Sequence, residues 1–591
     1  MSLNHDLEKL FKTAAAVMEI KGESVFKAIA FTKVSRLLGD STADLRKAVE
    51  DGSIADMDGV GASSRKIIED FVRTGRSPDI DELMASVPAG LIPLMDVPGL
   101  GPKTIRLLWK ERGITGTGEL VAAINEGKLE GLPGIGAKKI QTIKEGIDLL
   151  AASKGRIGLV DAMPIAQQLA AEVRNLKGVT HAEVAGSLRR WRETIGDVDL
   201  IAAVKPKTDT DAVVHAFVTL PMVEKILVEG PTKGSVLVDG GLQVDLRIVP
   251  EVHFGAALQY FTGSKDHNKK VRGLALDQGM TLNEWGLYKL ADYEKAEKKS
   301  GHAPDLKPVA SKTEADVYKA IGLPYFEPEL REDRGEVELG QADKLPTLIA
   351  VADIRGDLHT HTTASDGSNT IEEMAEAAKA AGYEYLAITD HSKSQMIANG
   401  LTAERLLKHV KAIRKAADKI KGITLLAGSE VDILVDGRLD YEESVLRELD
   451  IVIASPHVSL KQETDKATDR ILRAIDTACV NVIGHPTGRL INQRAGLPLD
   501  IGRVIERAAS ANVALEINSG WPRLDLTDIN AKAAIAGGVK LSIDTDAHSA
   551  DYLTKRPVLG VSVARRAGVE AKDVINTWPL HRLRKFLALK R

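Results

Sequence analysis

Gly186-Ser187-Leu188-Arg189-Arg190-Trp191-Arg192-Glu193-Thr194-Ile195-Gly196-Asp197-Val198-Asp199 is the stretch on which the reading of this chain turns. Asp197-Val198-Asp199 opens an apolar run to Val204 that reads as a strand. A strand's period of two puts both carboxylates on one face, with Val198 and Leu200 on the other. Two adjacent anions repel, so the pair is stable when a cation neutralises it. Asp245, in Gln243-Val244-Asp245-Leu246-Arg247-Ile248-Val249, can add a third oxygen ligand, and an all-carboxylate set suits Mg²⁺ or Mn²⁺. Asp-x-Asp by itself is more often the solvent face of an edge strand. The residues upstream tip the balance, because Gly186, Gly196, Ser187 and Arg190 are the groups that cradle a triphosphate next to a bridging metal.

Around this centre, Ile157–Pro250 alternates β segments with helices, with strands expected at His181–Leu188, Asp197–Val204 and Leu242–Val249. A mostly helical stretch follows Val252 to about Gly322, and Glu327–Leu345 is charged, proline-bearing and linker-like. In the first quarter, Gly59-Val60-Gly61, Pro98-Gly99-Leu100-Gly101-Pro102-Lys103 and Pro133-Gly134-Ile135-Gly136-Ala137-Lys138-Lys139 form an internal repeat between helical segments. Such glycines allow a tight turn whose freed N–H groups can accept a phosphate, although one copy alone fits an ordinary glycine cap.

The composition bounds these readings. With 591 residues the chain holds about four domains of typical size. Acids outnumber Lys plus Arg by 83 to 79, so a polyanion must be met by local patches and not by a generally basic coat. Cys479 is the one cysteine, which excludes an internal disulfide and a Cys-rich zinc site and leaves His, Asp and Glu to hold any metal. Met1-Ser2-Leu3-Asn4-His5-Asp6 has no signal-like apolar core and no apolar run reaches ~20 residues, so a soluble cytoplasmic protein is expected.

The two Pro-Gly-φ-Gly copies followed by lysine resemble helix-hairpin-helix motifs, which hold DNA by its backbone. By that resemblance Gly59, Gly61, Gly99, Gly101, Lys103, Gly134, Gly136 and Lys138 are DNA contacts. Gly-Ser-x-x-Arg followed by Gly-Asp-x-Asp resembles the signature of nucleotidyltransferases related to DNA polymerase beta. Tyr260-Phe261-Thr262-Gly263-Ser264, then Asn268 and Arg272, then Thr281-Leu282-Asn283-Glu284-Trp285, look like the nucleotide-binding subdomain of family X DNA polymerases. The resemblance implies that Tyr260 and Phe261 pack on the incoming sugar, Asn268 touches the base and Arg272 the template. Gly263 and Lys265 join the nucleotide site, and Asp197, Asp199 and Asp245 are catalytic ligands of two metals. Three positions depart from the family. Gln243 stands where the vertebrate enzyme has arginine, Lys265 replaces an acid, and Ile67 occupies the place of a Schiff-base lysine. A branched alkane cannot form an imine, and Lys66 points about 100° away on the helix, which argues against lyase activity.

Of fourteen histidines, eight follow the linker-like segment. His359, His361, His391, His457, His485 and His548 each end a short β-rich run, as does Glu430, with helical periodicity between, at Ile371–Ala381, Ala403–Lys419 and Ala467–Ala478. Repeated strand–ligand–helix units are the pattern of an α/β barrel with its site at the C-terminal strand ends. His409 and His581 read as ordinary polar side chains. With Asp366 and Asp546 the set reaches nine ligands, enough for two or three ions, and imidazole favours Mn²⁺, Zn²⁺ or Fe²⁺ over Mg²⁺.

His359-Thr360-His361, Thr389-Asp390-His391, Gly428-Ser429-Glu430, Ser455-Pro456-His457, Gly484-His485-Pro486 and Asp546-Ala547-His548 look like the motifs of the PHP (polymerase and histidinol phosphatase) family. That resemblance implies a distorted seven-stranded barrel with three ions. The first takes His359, His361, Glu430 and Asp546, the second Glu430, His457 and His485, and the third Asp366, His391 and His548. Arg489 is either a phosphate contact or a surface residue.

The whole order resembles the bacterial and archaeal family X polymerases with a C-terminal PHP domain. The expected fold is multidomain: an α-helical helix-hairpin-helix N-terminal region, an α+β nucleotidyltransferase palm and a C-terminal distorted (β/α)7 PHP barrel. The expected boundaries are a lyase-like helical domain at 1–82, a hairpin subdomain at 83–153, the palm at 154–252, the nucleotide-binding subdomain at 253–326, a linker at 327–350 and the barrel at 351–591. The implied partners are gapped or primer-template DNA and dNTPs, with no membrane and a monomeric state. The implied activities are gap-filling polymerisation and 3′–5′ exonuclease or phosphoesterase action. The alternatives are an end-processing nuclease with weak polymerase activity, and a polymerase fused to a small-molecule phosphatase.

Overall fold

The computed structural model describes residues 3–40, 45–57, 59–97, 99–153, 155–296 and 303–590, so Pro98 of the second hairpin lies outside the described residues. The chain divides into two units, Met1–Lys154 with Asn492–Arg494, and Gly155–Ile491 with Ala495–Arg591.

The first unit is helical around one apolar core that includes Phe11, Leu38, Ile68, Leu91 and Leu108. Its three glycine phrases share one geometry. Gly59, Gly99 and Gly134 take φ of 85°, 89° and 74°. The second glycine of each phrase sits just before α1 (Ala62–Thr74), α2 (Pro102–Arg112) and α3 (Ala137–Ser153). Only glycine adopts the first conformation without strain, so the repeat in sequence is a repeat of turns. The second and third hairpins pack closely: a Cβ on Gly99 would lie 2.5 Å from Thr142 Cγ2. Lys139 Nζ donates to Gly99 O at 2.5 Å. Ile67 is buried and Lys66 is exposed and paired with Asp79 at 2.7 Å.

In the second unit, β1 (Val179–Val184), β2 (Asp197–Val204), β3 (Val223–Glu229), β4 (Lys233–Val238) and β5 (Leu242–Pro250) form a sheet ordered 1-2-5-4-3. β2 and β5 run parallel at its centre. The strand expected at His181–Leu188 ends at Val184, because Gly186 turns to φ 63° and Gly186–Arg189 forms the short helix α4. The expected helical stretch is interrupted by the hairpin Met280–Asn283 with Gly286–Lys289, between α5 (Phe254–Thr262), α6 (Lys265–Asp277) and the helix Glu314–Ala320.

The linker-like segment is packed. Arg331 is fully buried, its Nε bonded to Phe326 O at 3.0 Å and its Nη1 to Glu314 at 2.6 Å. Glu336 is buried against His267 Nδ1 at 2.7 Å. A buried ion pair of this kind persists only when both partners are well bonded, as here.

Seven parallel strands follow in chain order: β6 (Gly356–Asp357), β7 (Tyr385–Ile388), β8 (Thr424–Asp432), β9 (Ile451–Ser455), β10 (Val482–Ile483), β11 (Ala514–Asn518) and β12 (Leu541–Asp544). A parallel bridge between Thr360 and Ala547 joins the chain after the first strand to the chain after the last, giving the distorted (β/α)7 barrel. Alternation decides the two faces. Tyr385, Ala387, Ile451 and Ile453 point inward to an inner cluster with Trp578, Leu583 and Leu587. Leu386, Ile388, Val452 and Ala454 belong to the outer cluster under the helices. Tyr385, at the start of β7, donates its hydroxyl to Asn576 O at 2.8 Å, so the C-terminal segment closes the barrel at the strand N-termini. The opposite end is left for the ligands.

Candidate active sites

Register brings the three aspartates together. Asp199 on β2 pairs directly with Asp245 on β5, and Asp197 with Gln243. Burial, then the charges of Asp197 and Asp245, push the Asp199 carboxyl up to about 6. A divalent cation relieves both causes at once. Asp245 is held below its ordinary range: burial would raise it, but Gln243 Nε2 at 2.9 Å, Lys233 Nζ at 2.9 Å and Ser235 Oγ at 2.7 Å outweigh that. Gln243, the departure from arginine, therefore still grips the third carboxylate, and Lys233 and Ser235 join it without having been marked in the sequence.

Gly186 backs onto the pair so closely that a Cβ would fall 2.4 Å from Asp199 Oδ2. Ser187 lies in the first turn of α4. Arg190 donates Nε to Glu332 at 3.0 Å and Nη1 to Thr262 O. It sits beside Gly263, whose Cβ would meet its Nη1 at 3.1 Å. Gly196 immediately precedes β2. Tyr260 and Phe261 meet edge to face at 5.2 Å, and the Arg247 guanidinium lies 4.7 Å from the Phe261 ring centre. Asn268 Nδ2 donates to Tyr260 O at 2.7 Å, so it is seated against the aromatic pair. Lys265 and Arg272 are exposed on α6. Gly61, Gly101, Lys103, Gly136 and Lys138 are exposed around the hairpin turns.

At the barrel mouth the ligand types come from the C-terminal ends of six strands. His361, Asp366, His391 and His548 each offer an atom within 4.8 Å of the others, as do His359, His361 and Asp546, and likewise His391, Glu430 and His457. His485 Nε2 joins through Glu430 Oε1 at 2.8 Å. The nine expected residues thus meet in one cluster, and His361 and His391 bridge groups that the motif pattern keeps apart.

The orientation of the rings is telling. Glu516 holds His359 Nδ1 at 2.7 Å, Asp432 holds His457 Nδ1 at 2.8 Å and Asp546 O holds His548 Nδ1 at 2.9 Å. That leaves Nε2 of His359 and His457 facing Glu430 at 3.4 and 3.3 Å, and Nε2 of His548 facing Asp366 at 3.4 Å. Ligating histidines are fixed in this way, one nitrogen on a carboxylate or carbonyl and the other toward the ion. Buried His359 Nε2 makes no hydrogen bond, and His391 Nδ1 faces Glu430 Oε2 at 2.7 Å without hydrogen-bond geometry, an arrangement that suits atoms converging on a metal.

Burial, then neighbouring His548 and His391, lowers His361 to about 4, and burial with Arg523 lowers His485 to about 3. Both are thereby kept in the neutral, ligating form. Burial would also lower His457, but Glu430 and Asp432 lift it to about 9. Glu430 is held well below its usual range, since His457, His359 and His391 outweigh its burial.

The sequence did not mark Glu516, whose carboxyl burial pushes up to about 7, nor Asp432, nor Asp390, which takes His409 Nε2 at 2.8 Å. Arg489 is neither a free phosphate contact nor a surface residue, because its guanidinium is taken by Glu193 at 3.0 Å.

Family models match three regions: a SAM-like helix-hairpin-helix tandem at residues 91–148, the DNA polymerase beta thumb at 257–332 and the PHP domain at 357–520. The DNA polymerase/3′-5′ exonuclease PolX of Bacillus subtilis is 38% identical over 585 residues, covering 98% of this chain and 99% of that one. This chain belongs to the PolX family. The match spans nearly the whole of this chain, both sites included. Part of the PolX architecture also stands alone: a probable phosphatase of a Thermoanaerobacter species is 31% identical over 232 residues, 37% of this chain and 89% of that one. A probable phosphatase of Shewanella oneidensis is 33% identical over 205 residues, 33% of this chain and 76% of that one.

Proposed function

We propose that the protein is a DNA-directed DNA polymerase that fills short gaps during repair, and that its barrel is a metal-dependent 3′–5′ exonuclease or phosphoesterase. The observation that carries the reading is the pair of separate ligand clusters, one of carboxylates in register on β2 and β5 and one of imidazoles and carboxylates at the barrel mouth, on a chain co-linear with a PolX relative.

In the palm, Asp197, Asp199 and Asp245 would hold Mg²⁺ or Mn²⁺. Gly186, Ser187, Arg190, Gly196, Gly263 and Lys265 surround the triphosphate, Tyr260 and Phe261 pack on the sugar, Asn268 reaches the base and Arg272 the template. In the barrel, His359, His361, Asp366, His391, Glu430, His457, His485, Asp546 and His548 would hold two or three Mn²⁺ or Zn²⁺ ions. Divalent ions in such sites neutralise phosphate charge and make an oxygen nucleophile available at neutral pH. The hairpin glycines with Lys103 and Lys138 hold the DNA backbone through exposed N–H groups and ammonium charges. Among the described residues no helix is long and apolar enough to cross a membrane. The working form is a monomer acting in the cytoplasm at the nucleoid.

Asp197→Ala with Asp199→Ala should abolish extension on gapped DNA with Mn²⁺ and spare 3′ digestion, while His359→Ala with His361→Ala should do the reverse. Extension surviving the first pair, or digestion surviving the second, contradicts the assignment. A second reading, a barrel acting on small phosphate monoesters, is favoured by the phosphatase names of two relatives that match about a third of this chain. Turnover of a 3′-ended oligonucleotide compared with a free monoester separates the two.

A further inference from the structure

The palm segment running from the Ser187 turn to Asp197 is held from the barrel at two points. Arg566, buried on α7 (Pro557–Ala567), donates Nη1 to Arg190 O at 2.6 Å and to Glu332 Oε1 at 3.0 Å, and Nη2 to Asp528 at 2.8 Å. The same Glu332 oxygen accepts Arg190 Nε at 3.0 Å, and Arg192 lies 3.7 Å from the other oxygen. Three residues on, Glu193 is clasped by Arg489, whose Nη2 also reaches Leu524 O. Arg489 in turn sits on the loop leaving His485, whose Thr487 and Gly488 N–H groups are tied to Asp525 at 2.9 and 2.8 Å.

We infer that Arg566 and Arg489, two barrel side chains, are positioning residues of the polymerase reaction: together they hold the Arg190–Gly196 loop, and Arg566 shares Glu332 with Arg190, so nucleotide binding in the palm depends on the barrel. The physical reason is charge sharing within a buried cluster. With Arg566 present, Glu332 divides its charge between two guanidiniums and the Arg190 backbone is anchored. Without it, Glu332 has Arg190 as its close partner and draws that cation away from phosphate, while the loop loses one hydrogen bond to a charged donor. The inference rests on Arg190 being a triphosphate contact.

The test uses the full chain on a one-nucleotide gap, with KM and kcat for the dNTP measured separately and 3′ digestion of a single-stranded oligonucleotide as the control. Arg566→Ala should raise the dNTP KM about tenfold, the scale of one lost hydrogen bond to a charged group, with digestion unchanged. Arg489→Ala should shift KM in the same direction. Arg566→Ala combined with Arg190→Ala should be no worse than Arg190→Ala alone, because Arg566 acts through Arg190. If Arg190→Ala raises KM but Arg566→Ala does not, or if the two effects multiply, the inference is overturned and the reading of Arg190 stands. If Arg190→Ala leaves KM unchanged, it is that reading which falls. Should Arg566→Ala lose both activities, Arg566→Lys decides: it keeps a cation beside Glu332 and Asp528 but lacks the two-nitrogen fork that reaches Arg190 O and Asp528 together, so an intermediate KM is expected and a normal one overturns the inference.

Discussion

Glu516→Ala is the most informative single change in the barrel. Glu516 is fully buried on β11, where Oε1 accepts His359 Nδ1 at 2.7 Å and Oε2 accepts the backbone N–H of His485. Truncation leaves both donors buried and unpaired, at about 1–3 kcal/mol each, so the expected loss of unfolding free energy is about 2–6 kcal/mol. The effect on chemistry is separate. His359 loses the partner that fixes which nitrogen faces Glu430, and removal of such an outer partner weakens metal affinity or activity by about 10- to 100-fold. The assay is Mn²⁺-dependent digestion of a 5′-labelled single strand, beside gap filling by the same preparation and metal content by mass spectrometry. Digestion should fall by one to two decades and regain part of its rate at high Mn²⁺, with gap filling retained. Normal digestion and normal metal content in a folded Glu516→Ala protein would refute the idea that His359 is a ligand held in place by Glu516.

Gly186→Ala should lower gap filling by about a hundredfold and spare digestion, because the added Cβ lies 2.4 Å from Asp199 Oδ2 at φ 63°, and displacing a reacting group by an ångström is that costly; steady-state extension kinetics check it. Gln243→Leu should slow extension by about tenfold through loss of the 2.9 Å bond to Asp245, with Ser235 and Lys233 keeping the carboxylate in place. Gln243→Arg should restore the rate, and a Gln243→Leu protein as fast as the parent would contradict the positioning role. Glu314→Gln should destabilise the protein by about 3–5 kcal/mol at neutral pH, since Arg331 is then left buried without its partner. Burial would raise the Glu314 carboxyl, but Arg189 and Arg331 hold it below 4.5, so its contribution is complete above that pH and fades as pH falls through the lower folded value. Urea melts of parent and Glu314→Gln should therefore converge in acid and diverge above it.

What could be read from the sequence follows from range. The pairing of Asp197 and Asp199 on one face is legible because a period of two is local, and the clustering of the barrel-mouth histidines because each closes a short apolar run that becomes a barrel strand. Glu516 was not, because Ala514–Asn518 has no histidine to mark it and its partner His359 lies 157 residues away. Gly186–Leu188 reads as continued strand, but Gly186 takes φ 63° and opens α4, with no room for a Cβ beside Asp199. The segment after Glu327 reads as a linker by its charge, yet Arg331 and Glu336 are buried because Glu314 and His267 wait for them elsewhere in the fold. Arg489 reads as either a phosphate contact or a surface residue, and Arg566 carries no mark at all, for the same reason: their partners Glu193 and Glu332 are separated from them by 296 and 234 residues.

Two separate clusters on this chain, one in the palm and one at the barrel mouth, carry the side chains to gather divalent ions. Anomalous diffraction from Mn²⁺-soaked crystals of protein active in the same buffer addresses that directly. Peaks should stand among Asp197, Asp199 and Asp245, and independently among His359, His361, Asp366, His391, Glu430, His457, His485, Asp546 and His548. Ions found elsewhere, or at neither cluster, would contradict it.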